Sequence, residues 1–350
     1  MTLQFGNDLS FPIFNSRRSE IRPREVIDAE DGFVEVVDVL HSTSGNLYEI
    51  GRHVRKAIYG RVVHGVKLQG QHTLFRTATH VAIKIITREK MHELHGRISE
   101  NPINEIAAMQ FIGNEHPNLV AQIECCIDDV NIYSVMRFCS HGELFDMIQQ
   151  DGPMDDETAR SMIFQVIAGL EQLQYRGIGH RDLSVENVLV DLDEITNELR
   201  FVIIDLGQCI MCPRREEIPD SIEDHQLTPF SFKYVPRSEC GKGHFMAPEV
   251  FPGDDAPQYV NPMLCDIWAL GIILFICLTG NFPLEAALPI DPAYQLIVSE
   301  PDGVQQLVDG WNLLMSANAV DLIQRMLRAN PLERITIPQI RAHPFMNNNN

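Results

Sequence analysis

The chain has 350 residues, of which 45% are hydrophobic and 22% are charged, a composition typical of soluble globular proteins. At roughly 150 residues per domain, this length allows about two domains. Lys and Arg number 28 against 48 Asp and Glu, so the net charge is −20. Because surfaces that bind nucleic acids or anionic membranes are basic, we expect neither of these partners.

The N-terminus contains no basic stretch followed by an apolar core, so we expect no secretory signal and a cytoplasmic location, with the nucleus as an alternative. In a reducing compartment the 8 Cys are expected to be free thiols. Residues 1–45 show little periodicity, and a basic patch that includes Arg17 and Arg18 precedes an acidic one. We predict a flexible N-terminal extension over 1–45, a folded domain over 46–346 and a polar tail over 347–350.

Residues 48–90 alternate short β-branched runs with glycine and polar residues, which predicts a small sheet. A helical spacing of apolar residues follows at 105–112, and residues 132–138 return to a strand pattern. Helical patterns then dominate, at 144–150, 156–177, 267–280 and 319–329. The apolar run at 267–278 is shorter than the roughly 20 residues that span a bilayer, so we interpret it as a buried core helix and expect no membrane span.

Four short motifs follow one another in an order that few folds would produce. They are Val81-Ala-Ile-Lys84, His180-Arg-Asp-Leu-Ser-Val-Glu-Asn187, Asp205-Leu-Gly207 and Ala247-Pro-Glu249. With this set, and with Asp266-Ile-Trp-Ala-Leu-Gly271 and Pro331-Leu-Glu-Arg334 further along, the chain resembles the eukaryotic protein kinases. The resemblance implies an α+β, bilobal protein kinase fold, with a small β-rich N-lobe over 46–138 and a larger, mainly α-helical C-lobe over 139–346.

The resemblance also implies ATP- and Mg²⁺-dependent phosphoryl transfer, a reaction that needs positioning and charge neutralisation more than covalent chemistry. Lys84, on a strand, would contact the α- and β-phosphates, and Glu105 would hold Lys84. Asp182 is the candidate catalytic base. Asn187 and Asp205 are the candidate Mg²⁺ ligands, because their side chains offer hard oxygen donors.

The nucleotide pocket is also implied by the resemblance. Of the three glycines typical of the nucleotide lid only Gly60 is present, since Arg55 and Ala57 occupy the other two positions, and this leaves the affinity for ATP open. Core packing is the alternative role for the apolar members of the pocket. The residues assigned to adenine, ribose and hinge contacts are Val54, Val62, Ala82, Met136, Phe138, Cys139, Glu143 and Leu189.

The segment between Asp205 and Glu249 is longer than the family usually needs, and it carries several hydroxyl residues. Ser238 lies where the family has its main activating phosphosite, and Thr228 is a second candidate. Arg181, beside the base, resembles the family's receiver for that phosphate. We therefore expect control by phosphorylation of this activation segment, with an upstream activating kinase as a partner.

Two positions near the base depart from the usual Ser/Thr kinase pattern. Ser184 stands where a lysine is usual, and Lys242 stands where a threonine is usual after Gly241. We interpret the pair as exchanged, so that Lys242 supplies the ammonium group missing from the catalytic loop and joins the candidate catalytic residues. The alternative is that Lys242 points into solvent.

The sequence leaves three functions open. It predicts a Ser/Thr protein kinase acting on protein substrates, with tyrosine or dual specificity as a variant; a pseudokinase that binds partners, or a kinase for a small molecule or lipid, are the alternatives. Glu186 resembles the acid that reads basic residues ahead of a target serine, whereas Ile276 argues against a strong basic preference. The run Arg17-Arg18-Ser19 adds the hypothesis of an autophosphorylated or autoinhibitory segment, with a disordered tail as its alternative.

Overall fold

A computed structural model describes residues 14–28, 33–193, 196–212, 234–253 and 256–347. The chain divides into two compact units. The first comprises Met1–His116 and Val120–Cys139, and the second comprises Pro117–Leu119 and Ser140–Asn350. The first unit is built on a sheet and the second is mainly helical, so the expected α+β, bilobal architecture is confirmed.

The sheet of the first unit is a closed barrel with the strand order β1-β2-β3-β4-β5-β7-β6 and an additional pairing of β1 with β5. Closure leaves each strand with a partner on both sides, which removes the exposed edges of an open sheet. The strands are β1 Arg17–Ile27, β2 Val34–Ser42, β3 Leu47–Ala57, β4 Gly60–Gln69, β5 Leu74–Thr87, β6 Gln122–Ile127 and β7 Asn131–Arg137, and the helices are α1 Arg88–Leu94 and α2 Pro102–Ile112.

The prediction of a flexible extension over 1–45 is wrong for its described residues, because β1 and β2 belong to the barrel. The two strands pair with each other, and β1 also pairs in parallel with β6 and β5. Val26, Val39 and Leu40 are fully buried. Burying each such side chain contributes about 1.5–3 kcal/mol, which together with the strand hydrogen bonds offsets the conformational entropy lost by the segment.

Ser19 lies inside this same ladder. It is paired with Ser42, and its hydroxyl oxygen is buried. The described residues therefore do not support the hypothesis that Arg17-Arg18-Ser19 is an autophosphorylated or autoinhibitory segment, because the serine is not presented as a substrate would be.

A hydrogen-bond network around Glu124 of β6 links the turn between β2 and β3 to β6. The hydroxyls of Ser42 and Ser44 donate to Oε1 at 2.5 and 2.6 Å, while Asn46 Nδ2 and the Tyr48 hydroxyl donate to Oε2 at 3.1 and 3.2 Å. Burial would raise the pKa of Glu124, but these four hydrogen bonds outweigh it and lower the pKa. The carboxylate therefore stays ionised and fully bonded.

The second unit is built around α5, whose apolar side chains are buried against α4 and α8. Asn261 accepts hydrogen bonds from Met263 N and Leu264 N at the start of the helix, and Gly280 ends it at φ 71°. The helices are α3 Leu144–Asp151, α4 Asp156–Tyr175, α5 Pro262–Thr279, α6 Pro292–Ser299, α7 Gly303–Gly310, α8 Ala317–Met326 and α9 Ile337–Arg341, and the strands are β8 Ile178–Gly179, β9 Val188–Leu192, β10 Leu199–Ile203, β11 Ile210–Met211, β12 Val235–Pro236 and β13 Tyr259–Val260.

By length and composition, α5 is the one helix in the described part of the chain that is apolar enough to cross a bilayer. Its 18 residues have a mean hydropathy of 2.1, and 94% of them are buried inside the protein. A helix that is apolar on all sides and covered by its own protein is a core helix, as predicted from the run at 267–278.

All eight cysteines are buried and none is in a disulfide, so they are free thiols as expected. Burial raises the pKa of several of these thiols, and it brings the pKa of Cys126 and of Cys212 to about 12. Since the thiolate is the reactive form, these thiols stay protonated and react slowly at neutral pH.

Candidate active site

Lys84 and Glu105 form a buried ion pair in the first unit. The ammonium of Lys84, on β5, lies 2.6 Å from Glu105 Oε2, and the two residues are only 7% and 4% exposed. Glu105 reaches this position because the Asn101 side chain caps α2 by accepting hydrogen bonds from its first turn. A second carboxylate, that of Glu100, lies 4.0 Å from the same ammonium. A buried pair of this kind needs mutual compensation of charge, which excludes a solvated surface role for Lys84.

Three predicted nucleotide contacts share the sheet face of Lys84. Val62 lies directly across from Lys84, and Ala82 lies across from Met136. Because side chains two residues apart in a strand share a face, all four point the same way. The strand register therefore groups the apolar candidates with the phosphate-binding candidate.

The hairpin between β3 and β4 corresponds to the predicted nucleotide lid. Ala57 pairs with Gly60 across a two-residue turn, and a Cβ at Gly60 would lie 2.0 Å from Ile85 O, so this position admits only glycine. Tyr59 at the tip is 2% exposed and donates a hydrogen bond from its hydroxyl to Glu100 O at 2.6 Å. The lid is thus anchored to the segment that precedes α2.

The other predicted nucleotide contacts lie in two places. In the first unit, Val54 of β3 is 45% exposed, and Phe138 and buried Cys139 follow β7. In the second unit, Glu143 precedes α3 and is bridged to half-buried Leu189 of β9. The structure therefore brings Glu143 and Leu189 together, while Val54 faces solvent.

The loop between β8 and β9 carries the candidate base, and Asp266 of α5 fixes its backbone. Asp266 is 2% exposed and accepts hydrogen bonds from His180 N and Arg181 N, both at 2.9 Å. His180 Nε2 lies 2.9 Å from Ile204 O. These contacts hold Arg181 at φ 67°, a conformation rare for residues other than glycine. The motif that begins at Asp266 contributes to the family resemblance, but its residue types did not predict that this carboxylate positions the loop.

Asp182 and Asn187 are joined inside this loop. Asn187 Nδ2 donates to Asp182 O at 2.7 Å and to Asp182 Oδ2 at 3.1 Å. The other carboxylate oxygen, Oδ1, is buried and has no hydrogen-bond partner among the residues that the structure describes. Burial raises the pKa of Asp182, and the charges of His180 and Lys242 oppose that rise. An oriented carboxylate with one unpaired oxygen is suited to accept a proton.

Asp205 lies next to this pair. Ile204 N donates to Asn187 O at 2.9 Å, and Asp205 itself has φ 63° with its Oδ1 accepting from Gly207 N at 3.2 Å. The negative charge of Asp205 is also one of the causes that raise the pKa of Asp182. The amide oxygen of Asn187 and the carboxylate of Asp205 are hard oxygen donors of the kind that Mg²⁺ prefers.

The activation segment touches the same loop through Ser238 and Gly241. Arg181 Nη1 donates to Ser238 Oγ at 2.9 Å, and Arg181 Nε donates to Gln208 O at 2.8 Å. Gly241 N donates to Gln208 Oε1 at 2.9 Å. Ser238 thus already lies beside the predicted receiver of its phosphate. The other candidate phosphosite, Thr228, lies outside the described residues.

The side chain of Lys242 contacts two residues of the loop between β8 and β9. Its ammonium donates to Ser184 Oγ at 2.9 Å and lies 3.2 Å from Glu186 Oε2. Ser184 is fully buried, whereas the Lys242 side chain is 38% exposed. The structure therefore brings together the two residues that the sequence suggested were exchanged.

Two sequence motifs that had no assigned role meet in a buried ion pair. Arg334 Nη1 and Nη2 donate to the two carboxylate oxygens of Glu249 at 2.7 and 2.6 Å, and the guanidinium is fully buried over the Trp268 ring. A bidentate pair of this kind fixes geometry as well as charge. It anchors the end of the activation segment to the helical core.

Comparison with known proteins identifies the family that this chain matches and several of its relatives. The model of the family described as "Protein kinase domain" matches residues 59–346. Relatives include serine/threonine protein kinase OSK3 of Oryza sativa subsp. indica, 30% identical over 87% of this chain and 51% of the relative. The SNF1-related protein kinase catalytic subunit alpha KIN12 of Arabidopsis thaliana is 29% identical over 86% of this chain and 51% of the relative.

A third relative, the CBL-interacting serine/threonine-protein kinase 26 of Arabidopsis thaliana, is 29% identical over 86% of this chain and 59% of its own length. The chain therefore spans about half the length of the curated relatives that it matches.

Proposed function

The chain belongs to the protein kinase family, and on that premise we propose that it transfers the γ-phosphate of ATP to serine and threonine hydroxyls of protein substrates in the presence of Mg²⁺. The observation that carries this proposal is the buried Oδ1 of Asp182, which has no hydrogen-bond partner among the described residues, on a carboxylate held in place by Asn187. A structural aspartate would have both oxygens satisfied, since an unsatisfied buried acceptor costs free energy. The arrangement suits a general base that accepts the proton of a substrate hydroxyl.

The remaining steps are assigned to residues that the geometry favours. Lys84, compensated by Glu105, would bind phosphate oxygens through its ammonium. Asn187 and Asp205 would hold the Mg²⁺ that neutralises charge on the phosphates. Asp182 would accept the proton of the substrate hydroxyl as that oxygen attacks. Each residue thus has a task that matches its charge and its surroundings.

The observed contacts favour catalysis over a purely scaffolding role. A pseudokinase has no need of the buried Lys84–Glu105 pair or of the buried, unpaired Asp182 oxygen, both of which cost desolvation free energy. The relatives described above are named serine/threonine kinases, which favours hydroxyl substrates of that class over tyrosine. Activation-segment control through Ser238 and an upstream kinase is part of the same proposal.

Transfer of labelled phosphate from ATP to a generic protein substrate, with Mg²⁺ present, tests the proposed function. Asp182→Asn should lower kcat by about 10²–10⁴-fold, the usual contribution of a general base. The matched control is Asp151→Asn, at the exposed end of α3, which should retain wild-type turnover. Transfer that is equal in the wild type and in Asp182→Asn, or absent from the wild type while Mg²⁺-ATP still raises its Tm, would overturn the proposal in favour of a pseudokinase.

A further inference from the structure

The cation that contacts Ser184, in the loop between β8 and β9, comes from a different segment of the chain. Ser184, within the loop, is neutral, and the ammonium of Lys242 donates to its hydroxyl at 2.9 Å and lies 3.2 Å from Glu186. Building on the proposed function, we infer that Lys242 is a catalytic residue that the activation segment delivers to the loop, where its ammonium contacts the transferring phosphoryl group.

Lys242 is held by backbone contacts on both sides. Gly241 has φ 87°, its N–H is bonded to Gln208 Oε1, and a Cβ there would lie 2.6 Å from Arg181 O. On the other side, Phe245 N and Met246 N donate to the carbonyl of Lys242 at 2.9 and 3.1 Å. The main chain of this position is therefore fixed, which places the side chain over Ser184.

The ammonium has the access that its role requires. The Lys242 side chain is 38% exposed while Ser184, its acceptor, is fully buried. An ammonium has three donor positions, and Ser184 and Glu186 occupy two directions. The third remains for an anionic ligand. A pair this exposed to water contributes little to stability, about 0–1 kcal/mol, so a structural role alone does not explain it.

Delivery from the activation segment makes assembly of the site depend on that segment. Ser238 lies four positions before Lys242 and is bonded to Arg181. If this segment leaves the loop, the ammonium leaves with it, and position 184 keeps only a neutral hydroxyl. In a kinase that carries its lysine in the catalytic loop, the cation would stay. Ordering of the segment and assembly of the charged site are therefore one event in this protein.

A double-mutant cycle on kcat tests the inference. Lys242→Thr removes the cation and should lower kcat by about 10–100-fold with little change in the KM for protein substrate. Ser184→Lys alone crowds two cations and should also lower kcat. The double variant restores one cation and one hydroxyl, so its kcat should exceed the product of the two single effects by at least about tenfold. Multiplicative effects, or a fully active Lys242→Thr, would contradict the inference.

A binding measurement separates this inference from the proposed function. Aluminium fluoride with Mg²⁺-ADP imitates a transferring phosphoryl group, and its binding needs no turnover. Lys242→Thr should bind Mg²⁺-ADP as the wild type does but lose the gain in affinity that aluminium fluoride gives. An equal gain in both proteins would refute the role of Lys242, whereas a wild type without Asp182-dependent transfer would refute only the proposed function. Unchanged Tm values serve as the control for folding.

Discussion

At the scale of single residues, Arg181 joins four parts of the second unit. Its backbone N–H is bonded to Asp266 of α5, and its guanidinium donates to Gln208 O and to Ser238 Oγ. An arginine with its backbone fixed and one N–H on a serine hydroxyl is well placed for a phosphate on that serine, because the fork geometry of guanidinium matches phosphate oxygens.

Ser238→Ala is therefore expected to lower activity. Phosphate on Ser238 adds about −1.5 to −2 charge and exchanges a neutral hydrogen bond for charge-assisted ones, each of which is stronger by about 1 kcal/mol. The kcat of Ser238→Ala should be about 5–50-fold lower than that of wild-type protein in which mass spectrometry shows phosphate on Ser238. The control is Ser299→Ala at the exposed end of α6. If Ser238→Ala and Arg181→Ala both leave turnover intact, control lies elsewhere, with Thr228 as the next candidate.

Residue patterns could predict individual site residues but not the contacts that position them. The motif around Lys84 and the helical pattern at Glu105 are local signals, and the structure places their charges 2.6 Å apart. The motif that begins at Asp266 supported the family resemblance, but it did not reveal what Asp266 contacts, because its two partners are backbone N–H groups on a loop 85 and 86 positions away. Contacts to backbone leave no mark on the partner's residue type, so sequence patterns do not reveal them.

At the scale of elements, the largest difference from the sequence prediction concerns β1 and β2. Many of their side chains are exposed and several are charged, and this hides the alternation that usually predicts a strand. The buried positions Val26, Val39 and Leu40 also do not follow a strict period of two. Closure of the barrel explains this, since the two strands meet β5 and β6 as well as each other, and pairing with distant strands is a tertiary effect.

Two substitutions on β2 test whether the segment is part of the folded unit. Leu40 is fully buried and Val36 is 65% exposed on the same strand. Leu40→Ala should lower the free energy of unfolding by about 2–5 kcal/mol, because it leaves a cavity and loses apolar burial. Val36→Ala should change it by less than about 0.5 kcal/mol. Urea unfolding measures both values, and equal small effects would show that the segment is not part of the cooperative unit.

At the scale of the whole molecule, the hydrophobic pattern predicted the division into a sheet-based unit and a helical unit. The helices α4 and α5 follow from runs with clear start and stop residues, such as Asp155 before α4 and Gly280 after α5. The family match begins at residue 59, between the paired strands β3 and β4. The matched region therefore does not include the strands that close the barrel here, and a family match alone would place the boundary inside a folded unit.

Because all eight thiols are buried, their alkylation would report local opening of the structure. A cysteine can be alkylated only after water and reagent reach it, so each modified thiol marks a moment when its surroundings came apart. Iodoacetamide at neutral pH should label the native protein slowly and each site at a rate that rises with urea, as peptide mass spectrometry would measure. Fast stoichiometric labelling of any site without denaturant would contradict this expectation. The order of labelling would then show which unit opens first, because Cys125, Cys126 and Cys139 lie in the first unit and Cys209, Cys212, Cys240, Cys265 and Cys277 lie in the second.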